Sequence, residues 1–240
     1  MKGALTADGC AVAEGFHLLE EALRSECAIA AILAAKSVRS TVERIVRGLR
    51  HQVTAVEDSV FEAISATETT QGVIALVRPP EWTLDQLFRA RAMVVVLDGV
   101  QDPGNAGTIV RTAEAFGATG AVFLKGTVSP HNPKTLRASA GSLFRLPYLA
   151  GLDAELACAA LKQKRAAIYA AHPRGRKPLP DVDLTTAFAL VVGSEGRGVS
   201  KAMESASLDV MIPTSRVESL NAAMAAGIIL YEASRQRMLR

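Results

Sequence analysis

The residues able to do chemistry gather in three short stretches, each following an apolar run. In the last, residues 211–232 read MIPTSRVESLNAAMAAGIILYE. A strand end carrying Ile212 stops at Pro213, a polar loop follows, and Ser219-Leu220-Asn221 stands where an Ala-rich helix begins. Serine or asparagine at such a join is commonly an N-cap. A strand running into a polar loop that opens a helix is also where open α/β sheets bind ligands. The first stretch is Asn105-Ala-Gly107-Thr-Ile109-Val-Arg111-Thr112-Ala113. Asn105 falls at a helix start, and Arg111, nearly two turns on, is expected on a similar face at about 3.6 residues per turn. The alternative makes Asn105 an N-cap and pairs Arg111 with Glu114 or another acid; on these residues alone the two readings stand even. The middle stretch, residues 190–200 (LVVGSEGRGVS), runs a buried strand into Gly193, Gly196 and Gly198. Glycines there let the backbone turn sharply or approach a ligand. A Cβ on Gly193 is therefore expected to fill space a ligand needs. The order G-x-x-G-x-G is not the dinucleotide order, and no P-loop lysine follows. The alternative is a tight turn with Glu195 at a helix N-terminus, where the dipole favours it.

These stretches need a scaffold of strands ending side by side. Residues 93–97 are a continuous run of β-formers, as in a strand buried on both faces, and they end in turn chemistry through Asn105. A helix is expected over 106–116, closed by Gly117. Strands follow at 121–124, 166–170, 187–192 and 208–212, and helices at 134–144, 154–164 and 219–239. Repeated strand–loop–helix units predict a mostly parallel sheet covered on both faces. Ahead of them, 12–25 has amphipathic helical spacing. Residues 28–33, 53–56 and 73–77 suit strands; 41–48 suits a helix, and so does 58–64 with Asp58 as its cap. That alternation describes a smaller α/β unit over residues 1–80. Pro79 and Pro80 break the pattern, so 81–92, with a short helix within 82–91, is a linker to a second domain at 93–240. Lys36, Arg39, Arg44, Arg47 and Arg50 lie on or beside one helix of the front unit. They form either a solvated face or a phosphate-contacting surface.

Composition narrows the class. The 240 residues are 49% hydrophobic and 21% charged, with a formal charge of +3. That permits a nucleic-acid partner without demanding one. The three scattered cysteines read as reduced, buried thiols suited to the cytosol. The four histidines show no metal-ligand spacing, and no long apolar run or export leader is read, so neither a metal nor a membrane is expected.

Together the stretches N-x-G-x-I-x-R-T-A, V-G-S-E-G-x-G and I-P…E-S-L-N-x-x-x-A…L-Y-E resemble, in order and near spacing, the signature blocks of the SpoU (TrmH-like) branch of the SPOUT RNA methyltransferases. Residues 137–147 (RASAGSLFRLP) resemble its intermediate segment. Glu14-Gly15-Phe16-His17 and Gly72-Val73-Ile74-Ala75 resemble landmarks of the L30e-like substrate-binding domain found in front of such enzymes. The basic helix that leads this domain in relatives is expected to be missing, and the 213–218 loop about one residue short.

The resemblance implies a deep trefoil knot in the C-terminal domain. It implies methyl transfer from S-adenosylmethionine to a ribose 2′-hydroxyl in structured RNA, with ribosomal RNA favoured over transfer RNA. By motif match, Gly193, Gly196, Ile212, Leu220, Ser219 and Asn221 would hold the cofactor. Arg111 would activate the hydroxyl, Asn105, Ser219 and Asn221 would orient the ribose or Arg111, and Glu195 would hold Arg111. It also implies a homodimer formed through the C-terminal domain. The last helix carries an apolar stripe at Leu220, Met224, Gly227–Ile228 and Tyr231, with further apolar surface at Ile229 and Leu230, and a helix apolar all round is buried on more than one side. The rival readings are a transfer-RNA methyltransferase, an RNA-binding relative that no longer methylates, and a nicotinamide-dependent α/β enzyme.

Overall fold

The computed structural model describes residues 5–48, 52–89 and 91–239. Arg50, in the basic run, lies outside them. The front unit is β1 (Ala11–Glu14), α1 (Phe16–Arg24), β2 (Ile29–Ala35), α2 (Arg39–Ile45), β3 (Val53–Val56), α3 (Asp58–Ile64) and β4 (Val73–Val77). Its sheet runs β1-β4-β2-β3, with β4 antiparallel to both β1 and β2. The helix expected over 12–25 is thus a strand and a helix. Ala11–Glu14 pairs with β4, and Gly15, at φ 104, turns the chain into α1. Helical spacing in the Leu-rich part masked a four-residue strand ahead of it. Asp58 is not the cap of α3; its carboxylate accepts from the Ser37 amide instead.

The second unit is α4 (Leu84–Leu87), β5 (Met93–Asp98), α5 (Pro103–Ala115), β6 (Gly120–Leu124), α6 (Pro133–Ser139), β7 (Tyr148–Leu152), α7 (Ala154–Gln163), β8 (Ala167–Ala171), β9 (Lys177–Pro178), β10 (Phe188–Gly193), α8 (Lys201–Ala206), β11 (Leu208–Met211) and α9 (Ala222–Met238). Seven strands run β7-β6-β5-β10-β8-β11-β9, every pairing parallel. Alternation along the strands divides the core. Met93, Val95, Leu97, Phe123 and Leu190 pack with Ile109 and Val110 of α5 and Ile229 and Leu230 of α9. Val94, Val96, Val122 and Val191 pack on the other face with Ala157 and Leu161 of α7 and Met203 of α8.

The helix expected over 134–144 stops at Ser139. Ala140 and Gly141 both take positive φ, 48 and 88, and a single 3-10 turn follows. That kink carries Gly141 against the front unit, where a Cβ would lie 2.6 Å from the Cβ of Glu21. Beside it Arg145 donates to Glu114 at 2.7 and 3.1 Å and also to Glu21 and Ser25 of the front unit. One apolar cluster runs through both units.

Helix α9 begins at Ala222, not at 219, so Ser219 and Leu220 belong to the loop. Its buried face is Ala223, Ala226, Ile229, Leu230 and Ala233, so Ile229 and Leu230 serve the chain's own core rather than a second contact. At its far end Arg237 donates to the carbonyls of Leu184, Thr186, Arg91 and Ala92 and lies over the Phe188 ring. Among the described residues no helix is long and apolar enough to cross a membrane.

Candidate active site

Strands β10, β8 and β11 lie next to one another and end at Gly193, Ala171 and Met211. Beyond these ends is a cavity of about 650 Å³. Val192, Val210, Ile212, Leu220, Ala225 and Ile229 give it apolar walls, and His172, Glu195, Arg197, Thr214, Glu218, Ser219 and Asn221 supply polar groups. A smaller pocket of about 320 Å³ adjoins it, lined by Val100, Gln101, Asp102, Asn105 and Gly196, and shares Gly193 through Glu195, Arg197 and Ala222 with it. Gly196 therefore borders the second pocket and not the larger cavity.

The glycine loop is closed on itself. Ser194 and Gly198 exchange backbone hydrogen bonds of 3.0 and 2.9 Å, and Gly198 sits at φ 68. A Cβ on Gly193 would meet the Gly198 carbonyl carbon at 2.4 Å and the Val199 nitrogen at 2.6 Å. The loop's own return path excludes a side chain at Gly193, whatever the cavity holds. The loop's far end is fixed by Asp98, a buried carboxylate at the end of β5 that accepts from the Ser200 amide at 2.6 Å.

Three elements bring their polar residues together here. Helix α5 is capped by Asp102, which accepts from the Asn105 amide at 2.6 Å. Asn105 is therefore not the cap, and its side chain is free to reach across. Its Nδ2 donates to Glu195 Oε1 at 2.9 Å. Asn221 caps α9, its Oδ1 accepting from the amides of Ala223 and Met224. Its Nδ2 must then face outward, and it donates to Asn105 Oδ1 at 3.0 Å and to Glu195 Oε1 at 3.2 Å. Because the capping bonds set the Asn221 amide, the orientation of the Asn105 amide follows from it.

Arg111 is not part of this group. Six positions at about 100° each place it roughly 120° around α5 from Asn105, not on a similar face. It is exposed and makes no hydrogen bond or ion pair among the described residues. Glu114 is taken by Arg145, and Glu195 receives Asn105 and Asn221 rather than Arg111. Sequence reasoning also missed Ala171, His172 and Pro173, which line the cavity from the end of β8. The signal was present: an apolar strand ending in His-Pro, parallel to two strands whose ends had already been singled out. Among the described residues no cluster of His, Cys, Asp or Glu could hold a metal ion.

The model of the SpoU rRNA Methylase family matches residues 92–231. The chain belongs to the SpoU rRNA Methylase family. The model of the MRM3-like substrate binding domain matches residues 6–75. This family member is 36% identical over 220 residues to the 23S rRNA (guanosine(2553)-2'-O)-methyltransferase RlmP of Bacillus subtilis (strain 168), covering 91% of this chain and 86% of that protein. It is 33% identical to the 23S rRNA (uridine(2479)-2'-O)-methyltransferase of Streptomyces viridochromogenes, covering 78% of this chain and 68% of the relative. Among solved structures, the SpoU methyltransferase AviRb from Streptomyces viridochromogenes, in complex with the cofactor AdoMet, superposes with a TM-score of 0.89 at 28% identity, covering 97% of this chain and 92% of that one.

Proposed function

We propose that this protein transfers a methyl group from S-adenosylmethionine to a ribose 2′-hydroxyl of ribosomal RNA. The observation that carries the reading is the meeting of Asn105, Glu195 and Asn221, one from each of three distant stretches, at the rim of a cavity over parallel strand ends. The two relatives named above, one acting on a guanosine and one on a uridine of 23S rRNA, support the substrate class.

The cavity suits the cofactor. Its volume lies within the range of small-molecule sites, and apolar walls with a few polar anchors are the usual lining. Ile212, Leu220 and the backbone at 193–195 and 197–199 would hold it, with Ser219 and Asn221 at the rim. When bound, it supplies an electrophilic methyl group on a sulfonium. The chain's own task is to present a weak nucleophile, which requires positioning and loss of the hydroxyl proton. Glu195 Oε1 accepts from both asparagines, so the carboxylate is held in one place. Its Oε2 accepts no hydrogen bond from the described residues and is left for the ribose hydroxyl. Arg111 brings a planar set of N–H donors and engages the RNA phosphate and hydroxyl oxygen.

We read the family's knot in the passage from β10 through β11 to α9. Support comes from the strand order: β11 lies beyond β8, while α9 returns to pack on α5 and β10.

The chain pairs as a homodimer through α5 and α9. Met224 and Tyr231 are 61% and 56% exposed on α9. Tyr231 meets the Phe116 ring edge-on at 5.6 Å, and Gly227 lies against Thr112, next to Arg111. Arg111 thus borders the exposed apolar stripe, and a two-fold pairing there would place it at the interface. Residues 1–80 form the RNA-binding unit, and the chemistry resides in 93–240.

The test is titration of the full chain with S-adenosylmethionine, followed by methyl transfer to ribosomal RNA transcribed in vitro. Saturable binding with methyl incorporation into ribose is expected. Binding without incorporation into any ribosomal or transfer RNA would favour the non-catalytic relative.

A further inference from the structure

The segment His172-Pro-Arg174-Gly175-Arg176-Lys177 leaves the cavity wall and runs to β9, and none of the signature stretches includes it. His172 and Pro173 line the cavity, and the next residues carry three cations and no acid. Arg174 and Arg176 are exposed and Lys177 half-buried, and none of the three makes an ion pair among the described residues. Exposed cations without an ion pair among the described residues occur elsewhere too, Arg111 and Arg197 among them, whereas Lys36, Arg39, Lys125 and Lys164 each reach a carboxylate. Two of those, Lys36 and Arg39, belong to the basic run on the front unit, which weakens that run as a phosphate surface.

The segment is also held rigidly. The His172 amide donates to the Val210 carbonyl at 3.0 Å, and the Gly175 amide to the His172 carbonyl at 3.1 Å. The Arg174 amide donates to His172 Nδ1 at 3.1 Å, and Lys177–Pro178 pairs with β11. Gly175 lies so close to β11 that a Cβ would stand 2.9 Å from the Val210 carbonyl carbon. On a fixed loop the backbone need not be ordered when its cations meet an anion, whereas cations already in ion pairs must first give up a partner.

We propose that Arg174, Arg176 and Lys177 form a phosphate-contacting surface at the mouth of the cavity that grips the RNA backbone beside the ribose to be methylated. This rests on the reading of the protein as an RNA methyltransferase. The contact is sequence-independent and positions the substrate rather than reading its bases.

The experiment measures binding of in vitro transcribed 23S ribosomal RNA at several salt concentrations, with S-adenosylmethionine titrated in parallel. It compares the wild-type chain with Arg174→Gln/Arg176→Gln/Lys177→Gln, with Arg174→Lys/Arg176→Lys and with Lys125→Gln/Lys164→Gln. The first variant is expected to keep its cofactor affinity and to lose RNA affinity by about tenfold or more. The slope of log affinity against log salt should shrink by about two to three, near one for each phosphate no longer neutralised. The lysine variant should retain most of the affinity, because the contact is one of charge, and the Lys125/Lys164 variant should match the wild type. Unchanged RNA affinity and slope in the first variant would overturn the proposal, and so would a loss of cofactor affinity, which would assign the loop to the cofactor. Failure of the wild-type chain itself to methylate RNA would instead refute the underlying activity.

Discussion

Asn221 shows how one side chain can serve fold and site together. Its oxygen caps α9 while its nitrogen ties Asn105 to Glu195. Asn221→Ala should cost about 1 kcal/mol through the lost cap and also impair methyl transfer. Asn221→Asp keeps an acceptor for the cap but turns a carboxylate toward Glu195, so it should keep more of the melting temperature than Asn221→Ala and still transfer methyl poorly. Thermal melts beside turnover separate the two roles, and equal losses in both variants would remove the distinction. Arg111→Ala should reduce methyl transfer at least 100-fold with cofactor affinity unchanged, and Arg111→Lys should fail too, because lysine lacks the planar fork. Near-normal turnover in a folded Arg111→Ala protein would sink that role. Asn105, Glu195 and Asn221 could be picked out in the sequence by type and place, but their contacts could not. Whether Asn105 caps α5 depends on the helix starting at Pro103 with Asp102 ahead of it, a shift of a few residues that periodicity does not resolve.

At the scale of elements, buried parallel strands were the most legible feature, because continuous apolar runs such as 93–97 have few other uses. Less legible were β1, hidden against helical spacing, and β7, whose Tyr-Leu-Ala-Gly-Leu sequence lies at the sheet edge with Gly151 at φ 79. The loop at 194–200 could be recognised as glycine-rich, yet the reason for Gly193 lay in a clash with Gly198. Gly193→Val should therefore lower both stability and cofactor affinity, and calorimetry on a variant with unchanged melting and binding would contradict this. The kink at Ala140–Gly141 delivers Arg145 to its contacts. Burial raises the Glu114 carboxyl pKa, but hydrogen bonds from Arg145 and Ser142 outweigh it and hold it below the usual range. A carboxylate depressed on folding stabilises the protein above its unfolded pKa, and that contribution is lost as pH falls through the folded value. Arg145→Met should cost about 1–3 kcal/mol at neutral pH. Its stability should fall less steeply than the wild type's below about pH 5; denaturant melts at several pH values test both.

For the whole molecule, order along the chain revealed two α/β units, but not how the second presses on the first through Gly141 and Arg145, since such contacts depend on tertiary geometry. The same limit applied to α9: its composition predicted burial on several sides, whereas its own sheet takes Ile229 and Leu230 and leaves Met224 and Tyr231 outward. Met224→Glu/Tyr231→Glu should therefore yield a folded monomer of 25.3 kDa by light scattering with little methyl transfer, while a fully active wild-type monomer would rule the dimer out. Whether three distant stretches assemble one site for ribose methylation is decided by mapping 2′-O-methyl groups. In vitro transcribed 23S ribosomal RNA would be incubated with S-adenosylmethionine and either the wild-type chain or Arg111→Ala. A ribose 2′-O-methyl group at a defined nucleotide is expected with the wild type and none with the variant. Methylation of a base, or the same ribose methylated equally by both proteins, would contradict it.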